Sequence, residues 1–165
     1  MTIRSLRTFA VLLVMVLMTA CASKPPEAAT MKGQVIAAQA INPDRRGESR
    51  PVVVRIFQLK TGGTFDSADF YSLYNDAAGV LAADLLFTRE IVVQPGVTEK
   101  FEAEFDPDTR VIGVMAAFRD IENAQWRSKV ELPEEKLIKL LDRRQMLVNL
   151  DDRTVTLTFA KPPKK

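Results

Sequence analysis

Along most of the chain the apolar positions recur every second residue, in short runs separated by turn-forming residues. "QVIAAQAIN", from Gln34 to Asn42, predicts a first strand. "NPDRRGESRP" breaks it: Asn42-Pro43-Asp44 opens a turn and Pro51 closes the segment. "VVVRIFQLK", Val52 to Lys60, predicts a second strand whose Val-rich start is apolar on both faces, as expected of an interior strand of a sandwich.

After Thr61-Gly62-Gly63 the period changes. Phe65, Phe70, Leu73, Tyr74, Val80, Leu81, Leu85 and Leu86 fit short helical turns better than alternation, and Gly79 argues against one continuous helix. The expectation is two short helices crossing one end of the sheet. A further short helix is expected in "LPEEKLIKLLDRR". There Pro133 suits the first helical position and Glu134 and Glu135 complement the positive helix start. Leu137, Ile138, Leu140 and Leu141 form an apolar stripe ahead of Arg143 and Arg144.

The remaining segments keep a period of two. "TREIVVQPG" is a strand stopped by Gln94-Pro95-Gly96, where Pro95 presets φ and Gly96 supplies a positive φ. Val97, Glu99, Phe101, Ala103 and Phe105 alternate with Thr98, Lys100, Glu102 and Glu104, giving a half-buried strand with one charged face. "RVIGVMAAF", Arg110 to Phe118, is apolar on both faces and belongs in the middle of a sheet. "AQWRSKVEL" alternates Trp126, Ser128 and Val130 against Gln125, Arg127 and Lys129. "QMLVNLDDRTVTLTFA" reads as a hairpin around Asp151-Asp152, with Val155, Leu157 and Phe159 inward and Thr154, Thr156 and Thr158 outward. About eight strands at this length predict a mainly β fold, a two-sheet β-sandwich with a few short helices.

The first twenty residues follow another pattern. Arg4 and Arg7, with no acid, precede the apolar run "FAVLLVMVLM", which is about half of what a membrane-spanning helix needs. Residues 1–20 therefore read as a cleaved signal. Cys21 directly after Thr19-Ala20 makes the segment resemble a bacterial lipoprotein box, with Met18 where leucine is commoner. In that pattern the Cys21 thiol takes a diacylglyceryl group, the signal is removed and the new amino terminus is acylated. Cys21 is the only cysteine and the chain has no histidine, so neither an internal disulfide nor a soft metal site competes for it. Ala22, rather than aspartate, follows it, which favours the outer membrane facing the periplasm. Residues 21–33 have the composition of a flexible stalk, leaving 34–165 as the sandwich domain.

Removing the signal takes away two basic residues and no acid, leaving 21 basic against 21 acidic. A neutral domain lacks the basic excess that nucleic-acid binding requires. Without histidine there is no Ser-His-Asp or Cys-His system, and the glycines have no phosphate-loop spacing. Neither catalysis nor a cofactor beyond the covalent lipid is expected. The pairs Asp66 with Asp69, Asp106 with Asp108, and Asp151 with Asp152 read as turn-forming aspartates. Trp126 reads as core or core rim. The alternative is a periplasmic lipoprotein whose sandwich holds a small molecule, a peptidoglycan fragment or calcium. For calcium, Asp106 and Asp108 would meet Asp120 at one edge of the sandwich, although the spacing is not that of an EF-hand.

"NPDRRGESR", Asn42 to Arg50, is longer than a minimal hairpin link and places three arginines and two acids around one glycine. Its charge alone suits a solvated loop as well as a contact surface. The ordered series of lipobox, "INPD", "PVVVRIFQL", "FDSADFYSLYND", "LAADLL", "VVQPG", "VIGVMAAFRD" and "QWR" resembles the outer-membrane lipoprotein of type VI secretion systems, the TssJ or SciN family. The resemblance runs from about Cys21 to Phe159. It implies a transthyretin-like or C2-like β-sandwich without catalysis. It also implies a role in anchoring the secretion machine's membrane complex, by binding the periplasmic C-terminal domain of the inner-membrane protein TssM, with TssL as a further component. In that family the loop between the first two strands contacts TssM. Here that loop is Asn42, Pro43, Asp44, Arg45, Arg46, Gly47, Glu48, Ser49 and Arg50. Arg45, Arg46 and Arg50 are then the expected polar contacts, because guanidinium pairs bidentately with carboxylate, and Gly47 lets the loop turn.

Overall fold

The period-two segments become eight strands in a computed structural model that describes residues 29–132 and 144–161. They are β1 (Ala29–Ile41), β2 (Val52–Leu59), β3 (Leu85–Val93), β4 (Thr98–Phe105), β5 (Val111–Ala116), β6 (Arg127–Glu131), β7 (Gln145–Asp152) and β8 (Thr154–Ala160). Two four-stranded sheets result, in the orders β4-β1-β7-β8 and β3-β2-β5-β6. Neighbouring strands run antiparallel except β1 and β7, which are parallel. Val35, Ile41, Val54, Ile56, Phe101, Phe105, Val114, Val148 and Val155 are among the side chains that fill the space between the sheets. Each large apolar side chain buried there stabilises the fold by roughly 1.5–3 kcal/mol.

β1 starts at Ala29, five residues before the expected Gln34 and inside the expected stalk. The reason is long-range: residues 29–36 pair with β4, from Ala29 opposite Phe105 to Ile36 opposite Thr98, and Met31 is only 1% exposed. Residues 1–28, with the expected signal and Cys21, and residues 133–143, where a helix is expected, lie outside the described residues.

The helices α1 (Gly63–Ser67) and α2 (Phe70–Leu81) cover the outer face of the β3-β2-β5-β6 sheet rather than crossing its end. Phe57, Leu59, Val111 and Met115 point to that side and pack against Phe65, Leu73 and Leu81 in a second core. β2 and β5 are thus apolar on both faces because one face meets the opposite sheet and the other meets helices. Gly113 makes room for this layer: a Cβ there would stand 3.0–3.1 Å from the Phe65 ring. Arg127 Nη1 donates to the Phe65 and Ala68 carbonyls at 3.0 and 2.8 Å, and Arg55 Nη1 to the Tyr74 carbonyl, so two strand arginines hold the helices down. α2 is interrupted at Asp76 (φ −146°, ψ 65°), not at Gly79. The Asp76 carboxylate accepts the Gly79 N–H at 2.9 Å and so caps the turn that follows the break. Leu85 and Leu86, expected in a helical turn, begin β3, with Leu85 opposite Leu59.

Gln58 is the buried polar link between the sheets, 2% exposed. Its Nε2 donates to the Glu104 carbonyl at 2.7 Å, and its Oε1 accepts the Asp106 N–H at 2.9 Å and the Thr109 hydroxyl at 3.0 Å.

Candidate functional site

β1 and β2 belong to different sheets, so residues 42–51 must cross the roughly 10 Å between sheets rather than close a hairpin. Asn42 fixes the base of this crossing. It is 3% exposed and left-handed (φ 49°), a conformation that asparagine tolerates better than most residues. Its N–H donates to the Asp152 carbonyl at 2.8 Å, its Nδ2 donates to the Pro51 carbonyl at 2.6 Å, and its Oδ1 accepts the Arg119 N–H at 2.8 Å.

Asp44 organises the tip. Its Oδ1 accepts the Arg46 and Glu48 N–H groups at 2.8 and 3.1 Å, and its Oδ2 accepts Arg50 Nε and Nη2 at 2.9 and 2.6 Å. Its carbonyl accepts the Gly47 N–H at 2.9 Å, closing a four-residue turn with Gly47 at φ 79°. The Arg50 guanidinium, with help from the two amides, holds the Asp44 carboxyl below its ordinary value, and Asp44 in turn raises Arg50. Arg50 also pairs with Glu48. Of the three loop arginines, Arg50 is therefore engaged inside the loop. Arg45 and Arg46 stand exposed at the apex, their side chains without a partner among the described residues. Pro43 and Ser49 are half-buried flanks of the turn, and Glu48 is exposed.

Two more loops meet this end of the sandwich. Residues 117–126 follow β5, and Arg153 turns the chain from β7 into β8. The Gln125 N–H donates to the Arg153 carbonyl at 2.9 Å, and the Val155 N–H to the Gln125 carbonyl at 3.0 Å. Between these loops and the 42–51 crossing lies an open cleft of about 600 Å³, lined by Pro43, Asp44, Arg45, Arg119, Asp120 and Arg153. Arg119 and Arg153 were not among the residues expected at the site. Their sequence contexts, "FRD" and "DDR", carry no sign that two distant loops converge here.

The meeting of Asp106, Asp108 and Asp120 that the calcium alternative requires does not occur, and Asp106 and Asp108 serve a turn, as expected. Asp106 and Asp108 precede β5 and Asp120 follows it, so the length of that strand separates them. Asp106 Oδ1 accepts the Asp108 N–H at 2.8 Å within its own turn, while Asp120 accepts from Asn123 at 3.0 and 3.2 Å. Among the described residues no group of three or more potential ligand side chains could hold a metal ion. Asp69 caps α2 through the Ser72 N–H at 3.0 Å, and Asp66 pairs with Lys129 at 2.6 Å. Trp126 is half-buried at the rim of both cores, edge-on to Phe70 with ring centroids 5.3 Å apart.

The T6SS-SciN family, described as "Type VI secretion lipoprotein, VasD, EvfM, TssJ, VC_A0113", matches residues 29–153. No curated protein sequence matches significantly. Among solved structures, the type VI lipoprotein TssJ1 from Pseudomonas aeruginosa is 26% identical, with 83% of this chain and 100% of that one covered at a TM-score of 0.72. A chain of a type VI membrane complex is 27% identical over 81% and 99%, at 0.64. A chain of a structure described as the TssM C-terminal domain (869–1107) from EAEC is 27% identical over 78% and 97%, at 0.62. With the family matched across both sheets of the sandwich, the chain belongs to the T6SS-SciN (TssJ) family of type VI secretion lipoproteins.

Proposed function

We propose that the chain is a tether that holds the type VI membrane complex at the outer membrane, with lipid on Cys21 at one end and the 42–50 loop on the periplasmic C-terminal domain of TssM at the other. The observation that carries this reading is the placement of a rigid, arginine-tipped loop at the far end of β1 from Ala29, the first described residue after the expected anchor. From Cys21 to Ala29 the chain extends at most about 29 Å, so the start of β1 stays near the membrane while the loop lies at the other end of that strand. Several acyl chains, each methylene contributing about 0.8 kcal/mol, make such attachment effectively permanent. Similarity to a chain of a type VI membrane complex, and to one of a TssM-domain structure, supports a partner within that assembly. TssL would join through the same assembly. Such a tether transmits force and needs no catalytic group.

The test is calorimetric titration of residues 22–165 with the TssM C-terminal domain from the same operon, alongside a variant whose residues 44–48 are replaced by a Gly-Ser turn. Asn42 stays in place, because it pins Pro51 and Arg119 and its loss would disturb the fold. Micromolar or tighter binding that disappears in the variant is expected. An interface near 800 Å² per side suffices for this. Binding that survives the replacement would move the interface to another face.

A further inference from the structure

We infer that the partner-binding surface extends beyond the loop into the basic cleft beside it, and that this cleft takes an acidic segment of the partner. The inference rests on the reading that the loop end of the sandwich binds TssM. Its basis is the charge left over once the cleft's internal pairs are satisfied. Asp44 already accepts four hydrogen bonds from Arg46, Glu48 and Arg50. Asp120 is taken by Asn123 and lies 3.4 Å from Arg153 Nε. Arg45 and Arg119, by contrast, are exposed and have no side-chain partner among the described residues. Arg153 is held only loosely: its second ion pair, to Asp152, is 3.8 Å long, and its Nε is the one buried side-chain nitrogen or oxygen among the described residues without a hydrogen bond. The acids of the cleft are thus neutralised from within, whereas two guanidinium groups face solvent unopposed.

The backbone carrying these two groups is already fixed. Asn42 Oδ1 holds the Arg119 N–H, and the Asp44 turn holds Arg45. Binding therefore orders side chains but no loop, which keeps its entropic cost low. Guanidinium matches a carboxylate in a planar two-bond fork, so Asp or Glu side chains of a protein segment fit the cleft. An anionic bilayer fits poorly. Ala29, the first described residue after the expected anchor, lies at the opposite end of β1 from the cleft, so an anchor at Cys21 would favour the protein's own membrane at that other end.

The experiment titrates the TssM C-terminal domain into wild type, Arg119→Glu and the Arg45→Glu/Arg119→Glu double variant of residues 22–165, at low and high salt. This domain is a fair probe because both cores lie between Met31 and Leu157, and the full length of the solved TssJ1 chain corresponds to 83% of this one. Wild-type binding should weaken with salt. Arg119→Glu should bind at least about tenfold more weakly at low salt, and the double variant more weakly still, with a flatter salt dependence. Thermal midpoints should stay together, since neither side chain makes a hydrogen bond or ion pair among the described residues. If Arg119→Glu binds like wild type while the loop-replaced variant fails, the cleft is overturned and the loop reading stands. If wild type itself does not bind, both are overturned. Sedimentation with phosphatidylglycerol vesicles gives a further check: binding that depends on Arg119, with TssM affinity unaltered, would assign the cleft to lipid and overturn the inference.

Discussion

Asn42 and Asp44 sit two positions apart and do different work. Asn42 is a buried structural pin, so Asn42→Ala strands the Arg119 N–H and the Pro51 carbonyl and forces alanine into a left-handed conformation. A loss of about 3 kcal/mol in urea unfolding is expected. Asn42→Gly removes the conformational part and should recover about 1 kcal/mol of it. Asp44→Ala leaves the cores untouched; it should abolish the exchange protection of the Arg46 and Glu48 amides without moving the global unfolding midpoint. The pH dependence follows from the depressed Asp44 carboxyl. Its contribution is fully present above the ordinary value of 3.8 and is lost as pH falls through the lower folded value, so those two amides should stay protected at neutral pH and exchange freely only in stronger acid. The turn itself was legible, with Asn42-Pro43-Asp44 opening it and Gly47 letting the loop turn. The division of labour among Arg45, Arg46 and Arg50 was not, because three arginines in one loop look alike until the position of the acceptor is known.

The helical layer on the second sheet shows what periodicity conveys and what it leaves out. β2 and β5 were legibly apolar on both faces, but a repeat in sequence does not say whether the second face meets a sheet or a helix. The helices were expected at a sheet end, and they cover a face because Arg55 and Arg127 reach helix carbonyls from strands distant in sequence. The early start of β1 was hidden similarly, since "TMKG" becomes strand only against β4. Two substitutions test the layer and the link beneath it. Gly113→Val drives a side chain into the Phe65 ring and should cost about 2 kcal/mol or more while loosening α1, read by urea unfolding and by exchange of the 63–68 amides. Gln58→Leu leaves the Thr109 hydroxyl, the Asp106 N–H and the Glu104 carbonyl without their partner and should cost about 2–3 kcal/mol.

Taken as one body, the sandwich places Ala29 and the 42–50 loop at opposite ends of β1, thirteen residues of strand or about 43 Å when fully extended. A sheet loaded along its strands resists deformation through its whole hydrogen-bond ladder, which is what the proposed tether requires. The two-sheet architecture was readable from the count of short alternating strands, and the family from the ordered motifs. The cleft was not, because Arg119 and Arg153 reach it from loops after β5 and β7, and the same strand directions carried Asp106 away from Asp120. The tether reading is decided by membrane fractionation of cells that make the TssM periplasmic domain without its membrane segment. With the full chain present, that domain should appear in the outer-membrane fraction. It should return to the soluble fraction when either Cys21→Ser or the residue 44–48 replacement is introduced. Sedimentation with the outer membrane that survives both changes would contradict the tether.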